Sequence, residues 1–235
     1  MFAYVLQHWV QPDIMDAASI AMPLYDGSLA DLTKGITLSY QSSLDVCKHV
    51  AEGCAALWMM DLAYCDLKTS NILFKKLPRK KGMKYPTALV LADIGGIAPM
   101  GDERGMFTFP PQRAVWHGET DPEDAEDGFT LPEERDLVWS IGTLMITLLL
   151  GPGWAANRLT GQKLRDRACR TLEGPLTVVD MTPAFDEVCC EILEEADKIK
   201  RKGDAAAACA LVMHTAVRAW CGESVTIEQL IDVIR

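Results

Sequence analysis

A chain of 235 residues that is 49% hydrophobic can bury a substantial core and fits one domain. Its net charge of -10 repels nucleic-acid phosphates and anionic lipid headgroups, so neither nucleic acid nor membrane is an expected main partner. Eight cysteines, with no CxxC pair and no zinc-type Cys/His spacing, read as reduced thiols of an intracellular, cytoplasmic protein.

The opening MFAYVLQHWV has neither a basic start nor an uninterrupted apolar core, so it does not read as a signal peptide. Ser19 to Met22 reads as a short strand, broken by Pro23 and turned at Asp26-Gly27. Leu44, Cys47, Ala51, Cys54 and Trp58 recur at the spacing of one inward helix face, a core stripe rather than a ligand set. NILF and ALVLAD are short apolar runs on either side of KKLPRKKGMKYPT, the pattern of a hairpin with a long, basic, solvated loop. The acidic stretch at 119 to 127 reads as a surface loop that lacks the alternating ligands of a calcium site. Val138 to Leu150 is too short to cross a bilayer and reads as a helix buried all round. Further helices are predicted at Glu187 to Lys200, at Ala205 to Cys221 and in TIEQLIDVIR, with Thr226 as its N-cap. The expected fold class is mainly α with a small β-hairpin element.

The stretch YCDLKTSNILF, residues 64 to 74, places an acid, a lysine and an amide directly ahead of an apolar strand. LVLADIGG ends the partner strand with a second acid, so the hairpin would carry Asp66 and Asp93 to one edge. Two carboxylates and an amide form a hard-oxygen set suited to Mg²⁺, and Lys68 among them has an anionic partner in a phosphate. These groups suit phosphoryl transfer: one acid orients the attacking hydroxyl, the other acid and the amide hold metal, and the cation meets developing charge.

YCDLKTSN resembles the catalytic loop H-R-D-L-K-x-x-N of the eukaryotic protein kinases, and DIGG resembles their D-F-G. Other landmarks follow in the family's order. AMPLYDGSL is similar to the hinge, GMFTFPPQ to the end of an activation segment, VWSIGTLMITLLLG to the buried central helix and WCGESVTIEQLI to the last helix. The likeness runs from about residue 15 onward. It implies a kinase-like C-terminal lobe over 23 to 235, with 1 to 22 as remnant strand leading to the hinge. Within that lobe it implies a catalytic loop at 64 to 71, D-x-G at 93 to 95 and an activation segment over 93 to 112.

By this resemblance Asp66 would be the catalytic base, and Lys68 would contact the transferring phosphate in the manner of the serine/threonine branch. Asn71 and Asp93 would hold Mg²⁺, and Leu73 would form the floor beneath the adenine of ATP. The backbone of Met22 and Leu24 would bond the adenine edge, and Ala21 would be a small gatekeeper. The implied partner is a protein that offers a hydroxyl.

Departures from the family pattern carry their own expectations. Tyr64 stands for the family's His and Cys65 for its Arg, which removes the receiver of an activation-loop phosphate. Ile94 replaces the Phe of D-F-G, and Asp136 lies one residue further from Trp139 than the family spacing. Gln112 and Ser224 stand where the family has a buried ion pair, so both ends are lost together. Upstream of the hinge there is no Gly-rich loop, no V-A-I-K-like strand and no glutamate-bearing helix, the parts that anchor phosphates in the family. Two readings therefore stand side by side: an ATP-dependent protein kinase, and a pseudokinase or kinase-derived scaffold for nucleotide or protein. An exposed apolar upper face is expected where a second lobe would pack, and it would support self-association.

Overall fold

The computed structural model describes residues 7–10, 18–34, 37–76, 87–101, 104–105, 129–130, 132–159 and 178–235. Strands β1 (Gln7–Val10) and β2 (Ala18–Ala21) pair antiparallel, with Gln7 opposite Ala21. The second strand thus lies one residue earlier than its predicted span and leaves Met22 outside it. A two-residue strand, β3 (Gly27–Ser28), runs into the one-turn helix α1 (Leu29–Leu32). Ser28 caps that turn: its hydroxyl accepts the Asp31 N–H at 3.2 Å, and the Asp31 carboxylate accepts the Ser28 N–H at 3.2 Å.

Helix α2 (Tyr40–Trp58) starts at Ser39, whose hydroxyl accepts the Ser42 N–H at 3.2 Å. The predicted stripe faces inward, with Leu44, Cys47, Ala51 and Cys54 buried and Trp58 half-buried against the core. Asp61, in the left-handed region at φ 57, then turns the chain into β4 (Leu62–Tyr64). The predicted hairpin is present as β5 (Ile72–Lys76) and β6 (Thr87–Leu91), in register from Ile72 opposite Leu91 to Lys76 opposite Thr87. On the other edge of β5 lies β3, with Gly27 opposite Phe74. β7 (Ile97–Pro99) pairs with β4, and β8 (Arg104–Gly105) pairs with β9 (Phe129–Thr130). The basic loop, the Gln112 position and the acidic stretch at 119 to 127 lie outside the described residues.

The second half is helical: α3 (Glu134–Leu150), α4 (Pro152–Ala156), α5 (Val178–Lys200), α6 (Asp204–Trp220) and α7 (Ile227–Ile234). α3 begins ahead of Val138 because Asp136 caps it, its carboxylate accepting the Glu133 N–H at 2.8 Å. Leu137, Val138, Trp139, Ile141, Met145 and Ile146 are fully buried. The helix is not buried all round, however. Thr143 and Thr147 are half-exposed and return their hydroxyls to their own helix, at 2.8 Å to the Ser140 carbonyl and 2.7 Å to the Thr143 carbonyl. α5 begins at Val178 rather than at Glu187, running through Pro183. A proline inside a helix costs about 3 kcal/mol, so the sequence pattern argues against a helix here.

α6 packs against α3 and α5, and α2 lies against α3, α6 and α7. At the α3–α6 crossing a Cβ on Gly142 would stand 2.0 Å from that of Ala216, so only glycine permits this approach. Trp220 ends α6 between Trp139 of α3, at a ring separation of 4.1 Å, and Phe185 of α5, at 5.3 Å. Thr226 caps α7 as predicted, its hydroxyl accepting the Gln229 N–H at 3.1 Å. The turn between α6 and α7 is held from α3. Glu134 accepts the Ile227 N–H at 2.9 Å, while Arg135 lies beside Gly222. Ser224, at one end of the ion pair that the kinase pattern would place here, is exposed. The architecture is mainly α with small antiparallel sheets, and among the described residues no helix is long and apolar enough to cross a membrane.

Candidate functional site

Asp66 and Asp93 stand on two neighbouring turns that hydrogen bonds lock together. The Tyr64 hydroxyl at the end of β4, itself buried, donates to the Ala92 carbonyl. Cys65 N–H donates to the Gly96 carbonyl at 2.6 Å, and Ala92 N–H donates to the Asn71 carbonyl at 2.8 Å. The β4–β7 and β5–β6 pairings flank these bonds and bring the two acid-bearing turns side by side. Both glycines of DIGG serve this closeness. A Cβ on Gly96 would meet the Cβ of Asp66 at 3.0 Å, and one on Gly95 would stand 3.3 Å from Asp93 Oδ1. The first glycine leaves room beside the Asp93 carboxylate; the second lets one turn lie on the other. Asp93 is exposed and left-handed at φ 58, a conformation that costs energy and that asparagine and aspartate adopt more readily than most residues.

Asp66 is 8% exposed. Its Oδ2 accepts from Lys68 Nζ at 2.5 Å and from Asn71 Nδ2 at 2.9 Å, and Asn71 Nδ2 also reaches the Asp66 carbonyl at 3.0 Å. Oδ1 is buried and has no hydrogen-bond partner among the described residues. An acceptor left so costs about 1–3 kcal/mol, which an incoming hydroxyl would relieve. Asn71 spends its NH₂ group on Asp66, leaving its amide oxygen as the remaining acceptor. The Tyr64 phenol is pushed far above its ordinary value by burial and then by the Asp66 and Asp93 charges, so it stays a hydroxyl donor.

Among the described residues no group of three or more His, Cys, Asp or Glu side chains is placed to hold a metal. A site for Mg²⁺ would therefore rest on the Asp93 carboxylate and the Asn71 amide oxygen. That set fits, because Mg²⁺ takes one or two protein oxygens and completes its octahedron with water and phosphate.

Three of the residues expected around a nucleotide base meet in one place. Met22, Leu24 and Leu73 line an open cleft of about 440 Å³, together with Tyr25, Gly27 and Asp31. β3 lies on β5 with Ser28 opposite Leu73, which presents Leu73 to this cleft. Met22 is 42% and Leu24 88% exposed, giving the cleft an apolar lip. Ala21 ends β2, but its side chain lies outside the described residues, and with it the gatekeeper assignment.

Two contributors escaped the sequence reading. Asp31 lines the cleft, and hydrogen bonds from Lys34 and then Ser28 hold its carboxyl well below the usual carboxylate range. The signal for it was the Ser28-x-x-Asp31 capping pattern. Tyr64 was read only as a replaced histidine, whereas its hydroxyl ties the Asp93 turn to the Asp66 turn. No family model matches the chain, and no curated protein matches it.

Proposed function

We propose that the chain is a kinase-like C-terminal lobe that binds Mg·ATP beside the Met22–Leu73 cleft and transfers a phosphoryl group to a protein hydroxyl. One observation carries this reading: a buried carboxylate with one oxygen, Asp66 Oδ1, unpartnered among the described residues sits on a turn hydrogen-bonded to the turn of a second, exposed acid, Asp93. Asp66 would accept the proton of the attacking hydroxyl and aim its oxygen, while Asn71 keeps the carboxylate oriented through Oδ2. Lys68, 47% exposed at its side chain, is free to leave Asp66 for a phosphate oxygen. Asp93 and the Asn71 amide oxygen would hold Mg²⁺, which when bound neutralises charge on the phosphate oxygens. The apolar faces of Met22, Leu24 and Leu73 suit a flat heterocycle.

A second reading, a scaffold that binds nucleotide without transferring phosphate, is favoured by the 2.5 Å Lys68–Asp66 pair. That contact neutralises the base and holds the cation away from phosphate. The test is thermal unfolding with and without Mg·ATP. Ligand at about a hundred times Kd stabilises by roughly 2.7 kcal/mol, or about 5 to 10 °C for a domain of this size. The shift is expected to need metal and to vanish in Asp93→Asn. Asp66→Asn should keep the shift and lose transfer of labelled phosphate. Binding without transfer in the unmutated chain selects the scaffold, and the absence of any nucleotide-dependent shift rejects both readings.

A further inference from the structure

Away from the acidic turns, three cysteines gather where α6 ends against α5. Phe185, one helical turn before Cys189, packs edge-on against Trp220 at 5.3 Å, and Cys221 follows Trp220 directly. Because Trp220 also rests on Trp139 at 4.1 Å, the end of α6 is pressed onto this face of α5. The packing of Phe185 on Trp220 brings Cys189 and Cys221 into one neighbourhood, where each thiol feels the other. Cys189 is buried and Cys221 exposed, so solvent reaches the second residue and not the first. Cys190 is exposed as well, but as the next residue of the helix it points about 100° away from Cys189.

We propose that Cys189 and Cys221 form a reversible disulfide that fastens the end of α6 to α5 when the protein meets peroxide. The Cys221 thiolate attacks one oxygen of hydrogen peroxide; the O–O bond breaks, hydroxide leaves, and Cys221 becomes a sulfenic acid. The Cys189 sulfur then attacks the Cys221 sulfur. The S–O bond breaks, and the departing hydroxyl takes the Cys189 proton as water. Two electrons pass from the thiol pair to peroxide, and a dithiol reductant returns them by exchange. Burial holds both thiols above the ordinary range, so thiolate is scarce at neutral pH and the link forms slowly. Once made, it closes the chain between 189 and 221 and restricts the unfolded state.

The experiment treats the full native chain with hydrogen peroxide, then reads intact mass, disulfide-mapped peptides and the melting temperature. The expected result is loss of two hydrogens, a Cys189–Cys221 peptide and a rise in Tm of roughly 5 to 15 °C, all reversed by dithiothreitol. Cys190→Ser should leave this unchanged. Cys221→Ser, which alters an exposed side chain, should abolish both the link and the shift. Oxidation of Cys221 to sulfinic acid with Cys189 still a free thiol would overturn the proposal. So would a link made through Cys190, an unshifted Tm in the linked protein, or a link that forms only in denaturant.

Discussion

Replacing Gly142 by alanine tests the helix crossing on which the second half of the fold depends. The new Cβ would stand 2.0 Å from that of Ala216 and 3.2 Å from its Cα. Ordinary contact between such carbons is about 3.5 to 4.0 Å, so α3 and α6 must part by some 1.5 to 2 Å. Two effects compete. Alanine is the better helix former by about 1 kcal/mol, whereas forcing a methyl group into a close-packed core costs about 1 to 3 kcal/mol, occasionally more. With an overlap this deep and backbone atoms behind it, the upper end of that range applies, leaving a net loss of about 2 kcal/mol or more. For a chain of this size that lowers Tm by roughly 4 to 8 °C, read by calorimetry or circular dichroism. Gly153→Ala is the control, because its Cβ would meet nothing within 4 Å. On the exposed helix α4 only the propensity gain remains, and Tm should hold or rise slightly. If Gly142→Ala melts at or above the temperature of the unmutated chain, α3 and α6 do not cross at this residue.

Tyr64→Phe keeps the ring but removes the donor to the Ala92 carbonyl, leaving a buried acceptor bare. The expected cost is about 1 to 3 kcal/mol, seen as a lower urea midpoint, with weaker Mg·ATP binding because the Asp93 turn loses its tie to the Asp66 turn. An unchanged midpoint would mean that the hydroxyl bond contributes nothing. The buried thiols predict an alkaline limit. Burial raises Cys54 and Cys209 from the ordinary 9.0 to about 12, so both are neutral in the folded and unfolded chains below pH 9.0. As pH climbs above that value the unfolded chain ionises these thiols while the folded one does not, and stability falls on the way to about 12. Urea midpoints measured above pH 9 should decline less steeply in Cys54→Ala than in the unmutated chain. Parallel slopes would refute the assignment.

Much of the local structure was legible in the residues themselves. The α2 stripe, the β5–β6 hairpin and the Thr226 cap each depend on side chains a few positions apart, where backbone period and capping chemistry act directly. The cluster of Asp66, Lys68 and Asn71 was readable for the same reason: one short turn carries all three, and Lys68 and Asn71 both bond Asp66. Other features depended on partners distant in the chain. The bond from Tyr64 to Ala92 spans 28 residues, and the need for glycine at 96 comes from where Asp66 stands. Gly142 is required only because α6 crosses there, and the α6–α7 turn is held by Glu134 because α3 begins beside it. The early start of α5, through Pro183, likewise runs against local preference. Periodicity shows which face of an element is apolar but not which partner covers it, because hydrophobic burial has no direction of its own. Close packing chooses the partner, and with it which glycine, tyrosine or carboxylate becomes indispensable.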